Sequence, residues 1–386
     1  MDIHSVCHQE FFEDKDLPQG LYEKARKATT DQRVGIDENL RNTLNTHGVA
    51  GLFIEPEQIV VSSTTSKVTR RNCRNATALY NANLSDQSFA TISKSLAEGV
   101  GIRSTTRIQG VNKKTVLLVL RKAAFHVAKV SQNLLKNLNV SECQLDEMWS
   151  FIAKKEKNLT DVERMVGILG DAWIWIAFDA VTKIFVATVI GKRTTAFAVK
   201  LLEEVERVTC HIPDLFSSDQ LDQYPEALLQ VYGLRYCPPR KPGPGRPPQP
   251  RLVPPHALNY VQVVKRYKQN RVIKVDRKVV FGDPVVIEQI LQESPVSQRI
   301  NTSYVERANG TVRHVDARCN RKTYRFSKLR ENHQRQFDLS MGYYHLCKPH
   351  KSLSNREGKS TTPFMAAGIT DHVWTMTEIL TYPIEN

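Results

Sequence analysis

The chain has 386 residues, 41% of them hydrophobic: enough for real cores, and too long for one typical compact domain. Its 54 lysines and arginines against 40 acids leave a formal charge of +14, which points to a polyanionic partner, nucleic acid before anionic membrane. The best apolar run, Trp173 to Ile190, is broken by Asp179 and Lys183, and seven scattered cysteines with no Cys-x-x-Cys pair fit neither a disulfide framework nor a cysteine zinc site.

The cysteine pattern fits a reducing cytosol, and the opening MDIHSVCHQEFFEDKD is acidic and polar, so no secretory leader is expected. Residues 1–84 carry no functional reading. His4, Cys7, His8 and His47 match no standard zinc spacing and read as surface residues. From Asp86 the signal sharpens. SDQSFATISKSLAEG predicts a helix capped by Ser85 or Asp86, with Phe89, Ile92 and Leu96 as its apolar stripe. IRSTTRI predicts a short second helix, followed by a turn at Gln109-Gly110-Val111. NKKTVLLVLRKAAFHVAKV predicts a third, capped by Asn112, with Val116, Leu117, Leu120 and Ala124 inward. This spacing is that of a helix-turn-helix over 85–135. The first turns of its last helix carry Lys113, Lys114 and Thr115, suited to phosphates or base edges. The same residues could be the solvated end of an ordinary helical hairpin.

CQLDEMWSFIA predicts a strand, and DAWIWIAFDAVTK and IFVATVIGKR predict two more around a turn at 179–183: an antiparallel meander. TTAFAVKLLEEVERV reads as an amphipathic helix, and LFSSDQLDQYPEALLQVYG as a short strand ending at Asp219 with a helix opening near Pro225. The order is β-β-β-α-β-α, a mixed α/β fold. Asp146 falls inside the first strand and Asp219 ends the fourth. An aspartate among apolar strand residues is costly to bury unless paired or metal-bound. Either could instead be bland, Asp146 on an exposed strand face and Asp219 capping a helix. Glu147 should point away from Asp146 by the two-residue period, Asp179 sits in a turn, and Asp222 lies past the strand end.

Residues 237–255 are proline-rich, extended and exposed. Arg246, in Pro-Gly-Arg-Pro-Pro, suits a narrow minor groove, though a plain linker has the same composition. YVQVVKRYK and RVIKVDRKVVFG predict a hairpin turning at Gln269-Asn270, with Lys265 and Arg266 among its cations. From Arg240 to Lys278 there are eleven basic residues and one acid, Asp276. Such a hairpin is a backbone-binding surface or a charged edge that resists aggregation. Pro284 onward predicts a helix. Glu306 then lies in a stretch with ten basic residues between Arg299 and Arg335, Arg313, Arg321 and Lys322 among them. A helix starting near Thr302 and running toward Ser327 would set Glu306, Arg313 and Ala317 on one face.

LDEMWSF around Asp146, DAWIWIAFDAVTKIFVATVIGKRT, SSDQLDQY around Asp219, SYVERANGTVRH around Glu306, and the tail CKPHKSL with TPFMAAGITDHVW share an order. Together, over roughly 85–380, they resemble the DDE transposases of bacterial and archaeal insertion sequences, most closely the insertion-sequence-one type. The resemblance implies a ribonuclease H-like catalytic core over 140–347, with 237–300 as a basic insertion and 348–386 as a tail. It implies Asp146, Asp219 and Glu306 as a metal-binding triad, and a basic residue seven after the glutamate, where Arg313 stands. The cysteine-rich zinc ribbon that many such proteins carry at the N-terminus has no counterpart here.

Carboxylate and water ligands suit two Mg²⁺ ions, or Mn²⁺, rather than zinc. The expected chemistry is nicking of double-stranded DNA at terminal inverted repeats, then joining of the 3′-hydroxyl to target DNA. Arg313 would bind the scissile phosphate. A homodimer on DNA, in a prokaryotic cytoplasm and with no membrane, is the expected setting. A nuclease of the same fold that cuts without joining, or a non-catalytic helix-turn-helix protein, would share much of this sequence.

Overall fold

The computed structural model describes residues 77–239, 248–269 and 271–384. The expectations for His4, Cys7, His8, His47 and Arg246 lie outside them.

Three helices come first: α1 (Asp86–Ala97), α2 (Ile102–Gln109) and α3 (Lys113–Leu134). Ser85 caps α1 by accepting from the Ser88 amide at 3.2 Å, and Asn112 caps α3 by accepting from the Lys114 amide at 2.9 Å. Gly110 closes α2 at φ 63°, a left-handed conformation that glycine adopts without steric cost. The buried stripe of α3 runs through Val116, Val119, Leu120, Ala123, Val127 and Val130, which share one face of the helix. Leu117, expected inside, lies at its margin and is half-buried.

β1 (Glu142–Ile152), β2 (Gly170–Asp179) and β3 (Phe185–Gly191) form the expected antiparallel meander, with α4 (Asp161–Val166) in the first connection. α5 (Thr195–Val208) leads to β4 (Leu215–Asp219), which pairs parallel to β1. α6 (Gln223–Tyr232) and a small ribbon of β5 (Leu234–Tyr236) and β6 (Arg251–Val253) follow. β7 (Tyr260–Lys268) pairs parallel to β4, and β8 (Arg271–Phe281) is the antiparallel edge. The result is a mixed α/β fold on a six-stranded sheet of order β3-β2-β1-β4-β7-β8. The basic hairpin is therefore not an appendage. Its first strand is hydrogen-bonded into the main sheet, because Tyr260, Val261 and Val263 are apolar and Gln262, whose amide donates to the Tyr260 hydroxyl at 3.0 Å, can be buried with them beside β4.

α7 (Pro284–Glu293), α8 (Ser303–Val315), α9 (Arg330–Leu346), α10 (Lys351–Glu357), α11 (Pro363–Ala366) and α12 (Met376–Thr381) complete the chain. α8 stops well short of Ser327. The Asp316 carboxylate accepts from the Arg318 amide at 2.7 Å, a local bond that competes with continuing the helix. Ala317 thus leaves the helical face expected for it.

Side chains alternate between two cores. Leu145, Trp175 and Ala177 join α5, α6 and the first three helices. Met148, Ile152, Ile174, Ile176 and Phe178 pack against α8 and α9. Among the described residues, no helix is long and apolar enough to cross a membrane.

Candidate metal centre

Strand register brings the two aspartates together. β1 and β4 are parallel neighbours, paired from Glu142↔Leu215 to Leu145↔Ser218. Gln144 and Ser217 face one way, and two residues further along so do Asp146 and Asp219. α8 covers that face. The Gln144 side chain accepts from the Tyr304 and Val305 amides at 3.1 and 3.0 Å and donates to the Asn301 carbonyl at 3.0 Å. These bonds clamp the start of α8 over β1.

Carboxylate oxygens of Asp146, Glu147 and Asp219 lie within 4.8 Å of one another. Glu147 was expected to point away, and its backbone does put it on the opposite face. Pairing with β4 ends at Leu145, however, so that edge of β1 is open at the two acids. Side chains from both faces can meet over it. Glu147 is held there by an ion pair with Arg193 and by the Tyr224 hydroxyl, which donates to it at 3.3 Å.

The cluster is electrostatically loaded. Burial raises Asp146 to about 6, and the charges of Asp219 and Glu306 push the same way against hydrogen bonds from the Glu147 amide and Asn309. Burial and Asp219 raise Glu147 to about 7, despite Arg193. Asp219 is raised as well, by burial first and by Glu306, with Arg193 and Lys265 opposing. One oxygen of Asp219 is buried without a hydrogen-bond partner. Three crowded carboxylates, an orphaned buried oxygen and an all-oxygen donor set fit a hard divalent cation.

Glu306 is not a member of the 4.8 Å cluster. Its carboxylate accepts from the Thr302 hydroxyl at 2.8 Å and pairs with Lys265 of β7, while its charge reaches both aspartates. Arg313 is half-buried on the same helix. Burial lowers its pKa, followed by the charge of Arg321, with Cys319 and Asp146 acting in the opposite sense, so it too lies within electrostatic reach of Asp146. Asn309 went unnoticed in the sequence. Its amide donates to Asp146 at 2.6 Å. A polar residue three after Glu306 on a helix was the available signal. Arg193 and Tyr224 had none, since only the fold brings them to Glu147. Asp179 is buried in the β2–β3 turn, accepting from the Val181 and Thr182 amides at 2.9 and 3.2 Å, and Asp222 is exposed at the start of α6; neither joins the cluster.

Of the residues expected to touch DNA, Lys113 and Lys114 are exposed at the start of α3 and Thr115 is half-buried beside them. Arg266 pairs with Asp276 at 3.0 Å, and Arg321 and Lys322 are exposed in the loop after α8. No family model matches the chain, and no curated protein matches it.

Proposed function

We propose that the chain is a metal-dependent DNA transposase of the DDE type, with a ribonuclease H-like core. The observation that carries this reading is the convergence of Asp146 and Asp219 from adjacent parallel strands, under a helix bearing Glu306. The strand order β3-β2-β1-β4-β7, a meander followed by parallel strands, supports the fold assignment. The basic surfaces on α3 and in the loop after α8 support a DNA partner.

Asp146, Asp219 and Glu306 would hold Mg²⁺, or Mn²⁺, as a pair of ions. When bound, these ions supply the positive charge that an in-line displacement at phosphorus needs. The chain's own residues do the rest. Asn309 fixes the orientation of Asp146 through its Oδ2. Arg193 and Tyr224 hold Glu147 at the rim of the cluster, where it can serve as a further oxygen ligand. Arg313, beyond Asn309 on α8, carries a planar fork that matches two phosphate oxygens. Lys113 and Lys114 grip the duplex away from the chemistry.

The test uses labelled DNA from the flanks of the coding sequence with Mg²⁺. Joined products support a transposase, and products that are cut but never joined support a nuclease. Asp219→Asn is expected to abolish both while leaving DNA binding within about two-fold, on the order of a single surface contact. An active Asp219→Asn protein would refute the metal-centre assignment.

A further inference from the structure

Lys265 occupies an unusual place. Val263 pairs with Asp219 across β7 and β4, and Lys265 lies two residues further on, so it shares the face of the sheet that α8 covers. Its ammonium is paired with Glu306 and also interacts with Asp146 and Asp219. A single ammonium from β7 thus reaches all three acids of the proposed triad.

Beside this pair opens a cleft of about 590 Å³. Its floor is Val263, Lys265, Val275 and Arg277, which share a face because Val263 pairs with Arg277 and Lys265 with Val275. Its wall is the segment 296–306. Arg277 donates to the Ile300 carbonyl at 2.8 Å, and the Asn301 carbonyl accepts from Gln144 and Ser217 at 3.0 and 3.2 Å, so the wall is fastened to the sheet. Arg299 lies on the same wall. A polar channel with three cations leading to Glu306 suits a run of phosphates.

We propose that Lys265 is an exchangeable counter-cation: it neutralises Glu306 while the acidic cluster lacks a divalent ion, yields Glu306 when the ion binds, and then contacts the phosphodiester backbone of a DNA strand in this cleft. The inference rests on the DDE reading above. A tethered ammonium lowers the repulsion among carboxylates that would otherwise face one another unpaired. A divalent ion carries twice the charge and ligates the oxygens directly, so it displaces the ammonium. The displaced ammonium is then repelled by the ion and attracted to the nearest phosphate.

Mn²⁺ binding to the full chain without DNA, followed by electron paramagnetic resonance, tests the exchange. Lys265→Gln is expected to bind Mn²⁺ roughly two- to five-fold more tightly, the scale of a half-exposed ion pair. Lys265→Arg should match the wild type. In a Glu306→Gln background the Lys265→Gln change should have a smaller effect, because only the longer-range charge toward Asp146 and Asp219 is left to remove. Unchanged or weaker Mn²⁺ binding by Lys265→Gln overturns the exchange. Wild-type Mn²⁺ affinity in Asp219→Asn overturns the metal centre beneath it instead. With DNA, the salt dependence of binding is compared at fixed Ca²⁺ and without divalent ion. Lys265→Gln should lower the slope by about one phosphate contact only when Ca²⁺ is present. An equal slope for the two proteins in Ca²⁺ rejects the phosphate contact.

Discussion

Glu147 shows how one carboxylate can be costly and kept. It is buried against Arg193 and Tyr224, yet its pKa is raised from 4.5 to about 7, by burial and then by Asp219. Between those two values the folded chain holds a proton that the unfolded chain has released. The contribution of this group to stability therefore falls as pH rises through that window, and the deficit is complete above it. Glu147→Gln should stabilise the metal-free protein at pH 8 by roughly 1–3 kcal/mol and change little at pH 4. Urea denaturation at both values checks this, and a loss of stability at pH 8 would mean that the Arg193 pair outweighs the repulsion. Saturating Mg²⁺ should shrink the gain, because a bound cation offsets the repulsion that the substitution removes.

At the scale of elements, the site depends on how closely helices approach the sheet and one another. α9 contributes to both cores, with Leu339 and Tyr343 in one and Phe337 and Met341 in the other. It crosses α3 at Gly342, where an added Cβ would sit 2.1 Å from Val127 Cγ1. Gly342→Ala should therefore cost about 1–3 kcal/mol by overpacking. Adding Val127→Ala removes the clashing methyl, so the double variant should be more stable than the sum of the two single losses predicts. Strict additivity in chemical denaturation would place the cost elsewhere. The same crossing joins the first three helices to the layer of α8 and α9, so Lys113 and the acidic cluster belong to one packed body.

Over the whole chain the formal charge is +14, and among the described residues several exposed cations stand in groups. Lys113 and Lys114 mark one basic surface, Arg321 and Lys322 a second and the β7–β8 hairpin a third, with the acidic cluster at the centre of the sheet. A polyanion bound along such surfaces releases counterions. Duplex affinity should fall on the order of a thousand-fold between 50 and 200 mM salt if six or more phosphates are contacted. Lys113→Ala with Lys114→Ala should reduce the slope by about two contacts. A flat salt response in a filter-binding titration would remove DNA as the reason for the charge.

Local pattern alone was enough for many of the elements as far as α7. Alternation in CQLDEMWSFIA and DAWIWIAFD, the caps Ser85 and Asn112, and the proline opening α7 depend on neighbours in the chain, and the structure has those strands, caps and helices. Asp146 and Asp219 were legible as candidates because a carboxylate in an apolar strand needs a reason. The sequence marked β7 as a hairpin strand but could not reveal that it joins the main sheet, because its basic composition hides four buried residues that only β4 makes useful. Nor could it place Glu147 in the cluster, since that follows from the pairing with β4 ending at Leu145, two residues before it. The end of α8 at Val315 and the pairing of Glu306 with Lys265 arise in the same way. Periodicity assigns a side chain to a face. Which partners share that face, and where an edge lies open for two faces to meet, is decided by contacts between residues distant in the chain.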